Sequence, residues 1–302
     1  MNGNIIVVGS LNMDLVVNAP RHPQIGETIL GGRFATFPGG KGANQAVAAA
    51  RMGAHVRMIG CVGEDGFGAE LCKVAAQDGI DTSHISVEKA EATGIALITV
   101  DAEGRNTIVV ASGANLSLSP WHLHTAKAAF SDADVLVTQL ESPLETVSEA
   151  IALAAQQGIR VVLNPAPAQP LGAEILSKVD YFIPNEREAM QIAGTDTLEA
   201  AIEKLLALGV RNLIITLGEQ GALLVAGGQR THIPAYPVKA VDTVAAGDAF
   251  VGAFATGLAE GLGLEAAARL GNAAAALSVT RPGAQPSLPL RREVDEFLGD
   301  KK

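Results

Sequence analysis

Six short apolar runs, separated by longer helix-like stretches, constrain this chain more than any other feature. They are "NIIVVG" (4–9), "HVRMIG" (55–60), "DVLVTQL" (134–140), "IRVVLNP" (159–165), "DYFIPN" (180–185) and "NLIITLG" (212–218). Each is apolar at odd and even positions alike, the pattern of strands covered on both faces, as in a parallel sheet between helices. Between them lie "KGANQAVAAARMG" (41–53), "GAELCKVAAQDG" (68–79), "PLETVSEAIALAAQQG" (143–158) and "TLEAAIEKLLALG" (197–209), each closed by glycine where a helix C-cap is expected. The alternation predicts an α/β fold. Two segments break it. "LVVNAPRHPQIGETILGGRFATFPGG" (15–40) reads as strand, Pro/Gly turn, strand, and "TGIALITVDAEGRNTIVVA" (93–111) as a hairpin turning at "AEGR". Together they predict a small antiparallel subdomain projecting from the main one. The C-terminal stretch gives an Ala-rich helix, a Gly/Pro loop and a final amphipathic helix.

A chain of 302 residues, 48% of them hydrophobic, has enough material to bury a large core. Its net charge of −10 argues against any broad electrostatic grip on nucleic acid, so an anionic substrate must be held locally. Cys61 and Cys72 cannot form a disulfide framework, and "MNGNIIVVGS" lacks a basic segment before its apolar run. These features predict a cytoplasmic protein with reduced thiols. No apolar stretch reaches the roughly 20 residues of a membrane span, so no membrane association is expected.

Several familiar motifs are missing. "GSLNMD" (9–14) follows the first strand without the G-x-G-x-x-G turn of a dinucleotide site, which argues against an oxidoreductase. Neither a P-loop nor a G-x-S-x-G elbow occurs. His122 and His124 in "HLH" have i, i+2 spacing, so their rings point apart on a helix; they read as solvated helix residues, and zinc chemistry is set aside.

Three segments carry candidate chemistry. "GGKGANQA" (39–46) places glycines, Lys41 and Asn44 at the mouth of a helix, although alone it reads as well as a ligand-free β→α turn. Asn12 and Asp14 follow the first strand at its carboxyl end, where open α/β sheets bind ligands, and an amide plus a carboxylate suit a polyol. "PNEREA" (184–189) sets Asn185 and Glu188 on one helix face, where ordinary dipole complementation worth roughly 0.3–1 kcal/mol is an equally good account. "VDTVAAGDAFVGAF" (241–254) puts Asp248 after Ala245, Ala246 and Gly247 and before an apolar helix. Small residues there let a ligand reach the main chain, and a helix's first turn offers unpaired N–H groups to an anion. A solvated Asp248 in a plain Ala-Gly turn is the bland alternative. Gly252 and Gly257 are spaced for close helix packing.

"GGKGANQA" and "DTVAAGDAFVGAF", separated by "PNERE", resemble the two signatures and the N-x-x-E element of the PfkB carbohydrate kinases. "LNPAPA" (163–168), "ITLGEQGA" (215–222) and "VTRPGAQPS" (279–287) extend the resemblance over essentially the whole chain, closest to the members that act on ribose. It implies one three-layer α/β/α domain over residues 1–302, with a β lid from about 15–40 and 93–111 through which two copies form a homodimer. It also implies transfer of the ATP γ-phosphoryl group to O5 of D-ribose. Asp248 would be the base, and the N–H groups of Ala245, Ala246, Gly247 and Asp248 would meet the developing charge. Sugar contacts would come from Asn12, Met13, Asp14, Gly40, Lys41, Gly42, Ala43, Asn44, Glu141 and Asp248. ATP contacts would come from Asn185, Thr216, Leu217, Gly218, Glu219, Gln220, Gly221, Gly247, Asp248 and Asn272. Glu188 would order Mg²⁺-bound water, and a K⁺ site would involve Asp242, Val244, Ser278, Arg281, Gly283 and Ser287. Many members carry glycine where this chain has Ala245, which should constrain the backbone more. A kinase for 2-deoxyribose and a catalytically silent sugar-binding sensor are the rival expectations.

Overall fold

The computed structural model describes residues 3–299. Its strands are β1 (Asn4–Val8), β2 (Asn12–Asn18), β3 (Phe34–Gly39), β4 (His55–Gly63), β5 (Asp81–Glu88), β6 (Gly94–Val100), β7 (Asn106–Ala111), β8 (Val135–Thr138), β9 (Arg160–Leu163), β10 (Tyr181–Phe182), β11 (Asn212–Thr216), β12 (Ala222–Ala226) and β13 (Gln229–Ile233). Nine of them form one sheet in the order β13-β12-β11-β10-β9-β8-β1-β4-β5. It is parallel from β5 to β11, and only the β11–β12 and β12–β13 pairs are antiparallel.

The two-faced apolar runs explain the layering. Ile5 and Val7 point into one core with the Lys41–Arg51, Ala246–Ala259 and Leu264–Ser278 helices. Ile6 and Val8 point into a second core with the Leu144–Gln156, Glu186–Ala193 and Leu198–Ala207 helices. The result is the expected three-layer α/β/α arrangement. All six expected strands form. Strands β5, β12 and β13 lie outside that pattern: "DTSHISVE" is too polar to resemble a buried strand, and the β12–β13 hairpin turns on Gly227 and Gly228, both at positive φ.

A second sheet has the order β3-β2-β6-β7. Its outer pairs are antiparallel as expected, and the turn between β6 and β7 falls at residues 101–105. The central pair, β2 with β6, is parallel, which corrects the all-antiparallel expectation. Both strands leave the same edge of the main sheet, with Asn12 opposite Gly94 at their roots, and so must run outward together. Strand β2 begins at Asn12, three residues earlier than expected, so Asn12 and Asp14 ride on this small sheet.

Candidate active site

The floor of the site is the junction of the β1–β2 turn with the Lys41–Arg51 helix. Gly40 caps that helix at φ +87°, and a Cβ on Gly42 would lie 2.5 Å from the Ser10 nitrogen, so the helix end presses directly on the turn. The first-turn donors are already committed. Lys41 N–H donates to Glu141 Oε2 at 3.0 Å, Gly42 N–H to Ser10 Oγ at 3.2 Å and Ala43 N–H to the Ser10 carbonyl at 2.9 Å. This helix end therefore offers no anion hole through Gly42 or Ala43. Met13 and Ala43 are buried core residues.

The Ala246–Ala259 helix supplies the opposite wall. Ala245 caps it in the left-handed region at φ +59°, the one non-glycine residue with positive φ among those described. The Ala246 N–H turns back onto the Thr243 carbonyl at 3.3 Å, whereas the N–H groups of Gly247 and Asp248 have no partner among the described residues. A Cβ on Gly247 would meet nothing within 4 Å, so glycine here leaves room for something other than protein. By contrast, a Cβ on Gly252 would lie 2.5 Å from Ala48 Cβ, and one on Gly257 3.2 Å from Ala267 Cα, confirming their close helix contacts.

Asp248 is 6% exposed, which overturns the solvated alternative. Its Oδ2 accepts from Asn44 Nδ2 and its Oδ1 from Gln45 Nε2, each at 2.9 Å. Burial raises its pKa, opposed by the Lys41 ammonium and by these two donors. Burial, with the charges of Glu141 and Asp248, pushes Asp14 up to about 7, although Lys41 opposes the rise. Burial would lower Lys41, but Asp248, Glu141, Glu188 and Asp14 together hold it above its usual value. Four carboxylates thus face a single ammonium, an arrangement that favours addition of a cation.

Asp248 lines a cavity of about 220 Å³ with Lys41, Asn164, Asn185, Glu188 and Gly247. Thr216, Thr243, Ala246 and Gly247 also border a larger cleft of about 750 Å³, lined by Gly218, Glu219, Gln220, Gly221 and Asn272 among others. Leu217 is the exception in that turn, because its side chain packs into the core. Asn272 Nδ2 is committed to the carbonyls of Ile233 and Pro234 at 3.1 and 3.2 Å, so it fixes the cleft wall and keeps only its oxygen for a ligand.

Asn185 and Glu188 form a reciprocal capping box: Glu188 N–H donates to Asn185 Oδ1 and Asn185 N–H to Glu188 Oε2, both at 2.8 Å. The capping account is thus correct, yet Glu188 keeps one free oxygen at the cavity, and burial raises its pKa. A hard divalent ion suits such oxygen donors.

Asp242 ties the proposed cation loop together. Its Oδ1 accepts from Val244 N–H at 3.0 Å and its Oδ2 from Gly283 N–H at 2.9 Å. The Ser278 and Ser287 hydroxyls donate to the carbonyls of Ala275 and Ala284, and Arg281 turns to Glu293. The side chains are therefore spent on shaping the loop, and a cation there would take carbonyl oxygens, as a hard monovalent ion does.

Sequence reasoning missed three amides, Asn115 and Gln45 buried and Asn164 half-buried. Asn115 donates to Asn12 Oδ1 at 2.8 Å, which turns the Asn12 amide so that its NH₂ is left for a ligand. Gln45 and Asn164 stand behind Asp248. Gln45 sits in "KGANQAVAAAR" among small residues, where nothing in the sequence marks it as buried. His122 is a correction of a different kind: it is buried, with Nε2 3.4 Å from Glu88 Oε1 and 3.8 Å from Cys61 Sγ. These three could be mistaken for a metal set. However, His122 Nδ1 accepts the Ser119 N–H at 3.1 Å, so the ring proton sits on Nε2, and burial pushes the Cys61 thiol up to about 12. Zinc remains set aside. His124 is exposed as expected, beside Glu149.

The model of the pfkB family carbohydrate kinases matches residues 2–291. The chain is 44% identical to a ribokinase of Haemophilus influenzae over 99% of both chains. It is 39% identical to a deoxyribokinase of Salmonella typhi over 98% of both. A ribokinase of Arabidopsis thaliana, solved with ribose and ATP, superposes with a TM-score of 0.92 at 31% identity, covering 99% of each chain.

Proposed function

The chain belongs to the pfkB family of carbohydrate kinases, and from that premise we propose that it transfers the γ-phosphoryl group of ATP to O5 of D-ribose, giving ribose 5-phosphate. The observation that carries this reading is the juxtaposition at one helix end: a buried carboxylate, Asp248, beside the open N–H groups of Gly247 and Asp248, on a cavity that adjoins a nucleotide-sized cleft. The sugar lies between Asn12 and Asp14 on β2 and Lys41, Asn44, Glu141 and Asp248 on the floor. Asp248 need not deprotonate the alcohol in the ground state. In a loose phosphoryl-transfer transition state it accepts the proton as the new P–O bond forms, so its orientation matters more than its basicity. The N–H groups of Gly247 and Asp248 and the Lys41 ammonium stabilise the charge on the transferred group.

ATP occupies the cleft, with the 216–221 turn and Asn272 shaping its wall and Asn185 near its phosphates. Mg²⁺ would be held near Glu188, largely through water, and would neutralise phosphate charge against the four carboxylates. K⁺ would be held by carbonyls of the 242–244 and 278–287 segments around Asp242 and would stiffen the helix end. The small sheet acts as a lid that keeps water from the phosphoryl group, and its apolar faces join two copies as a homodimer. The reaction belongs in the cytoplasm, where ATP and reduced thiols coexist. Among the described residues, no helix is long and apolar enough to cross a membrane.

The likeness to a deoxyribokinase keeps 2-deoxyribose as a second reading. Mass spectrometry of the product from ribose plus MgATP, with 2-deoxyribose and Asp248→Asn in parallel, tests both. Ribose 5-phosphate from the wild type, and turnover cut by about a thousandfold or more in Asp248→Asn, are expected. Near-normal turnover in the variant would remove the proposed base. A kcat/KM higher for deoxyribose would reassign the sugar.

A further inference from the structure

Gln45 is fully buried one residue beyond Asn44 on the Lys41–Arg51 helix. Its Nε2 donates to Asp248 Oδ1 at 2.9 Å and to Asn164 Oδ1 at 3.0 Å, and its Oε1 accepts from Gln139 Nε2 at 2.5 Å. Asn164 Nδ2 in turn donates to the Ile183 carbonyl at 2.8 Å. An amide can be reversed with little change of shape, and a reversed Gln45 would aim a carbonyl oxygen at the carboxylate. The chain of partners prevents this. A main-chain carbonyl only accepts, so Ile183 fixes Asn164 with its NH₂ toward the strand and its oxygen toward Gln45. That oxygen then requires the NH₂ of Gln45.

We propose that Gln45 is a positioning residue for the phosphoryl transfer: locked by Asn164 and the Ile183 carbonyl, it holds Asp248 ionised and correctly turned for the sugar hydroxyl. This rests on the phosphoryl-transfer reading given above. The relay also connects the base to the phosphate side of the site, because Ile183 precedes the Asn185 cap by two residues. The other groups acting on Asp248 are Lys41 and Asn44 on the same helix as Gln45, Glu141 after β8, Asp14 on β2 and Glu188 beyond β10. Of these, Lys41 and Asn44 also face the sugar. Gln45 is enclosed and has no such second duty.

The test is the pH dependence of ribose phosphorylation with MgATP in Gln45→Met, Gln45→Glu and Asn164→Leu, with folding checked by circular dichroism. In Gln45→Met, kcat should fall about tenfold while KM for ribose stays within about threefold, and the acidic limb of kcat/KM should move up by about one pH unit. Gln45→Glu keeps the shape but sets a second carboxylate against Asp248, and should move the limb further. Asn164→Leu, which frees the Gln45 amide to reverse, should move it less. Should Gln45→Met fail to fold, the isosteric Glu variant carries the test. Folded Gln45 variants with a wild-type limb and kcat overturn the inference. A wild type inert toward ribose with MgATP defeats the underlying kinase reading instead.

Discussion

Asp14 shows how the site sets stability against function at a single residue. Its pKa is about 7 in the folded chain, against an ordinary carboxylate value of 3.8. The folded state therefore binds the proton more tightly than the unfolded state does. Asp14 costs nothing below about pH 4; the penalty grows as pH rises and is complete above about pH 7, on the order of a few kcal/mol. Asp14→Asn should raise the melting temperature at pH 8, with the gain fading toward pH 4, while kcat/KM for ribose falls. Thermal melts and kinetics at both pH values check this. For the wild type, kcat/KM should climb through neutrality, because Asp14 is pushed up to about 7 and its proposed role as a hydroxyl acceptor needs it ionised. Ala245 holds a left-handed conformation that costs an L-residue about 1–2 kcal/mol. Ala245→Gly should therefore stabilise the fold, by less than that amount because glycine gains entropy in the unfolded chain. A urea titration measures the difference.

At the level of elements, two glycines on one helix separate packing from chemistry. Gly247→Ala should melt like the wild type, since its methyl enters open space, yet lose turnover because that space is the one proposed for the phosphoryl group. Gly252→Ala should lose about 1–3 kcal/mol, because its methyl would collide with Ala48, Ala49 N and Gln45 O on the facing helix. Parallel denaturation and kinetics of the pair distinguish the roles.

The same contrast explains what the sequence revealed. Apolar runs and closing glycines mark β1, β8, β9, β11 and their helices because burial dictates residue type there. The parallel pairing of β2 with β6 is set by where both strands leave the main sheet, a long-range condition that no local pattern records. At the site, Asp248 and Asn44 stand out beside small residues. Gln45, Asn115 and Asn164 do not, because an amide paired with other amides looks in sequence like any polar helix or loop residue. His122 misled for a related reason, its partners Cys61 and Glu88 lying on distant strands.

For the whole molecule, the outstanding surface is the small sheet. Every residue of β7 is exposed, Val109 by 66%, and Ile108 and Val109 point to opposite faces. Covering those faces with a second copy, as proposed, would account for their composition. Ile108→Asp with Val109→Asp should yield a species of half the molecular mass in analytical ultracentrifugation and raise KM for ribose. An unchanged mass would end the dimer proposal.

Strand β2 contributes to that projecting sheet and also bears Asn12 and Asp14. On the proposed function, grip and shutter would consequently be one part: a pentose that engages those two groups would pull its own door shut, and a molecule lacking the matching hydroxyls would leave it ajar. Water, which offers neither handle, would thereby be kept from becoming the acceptor by the geometry of a single strand.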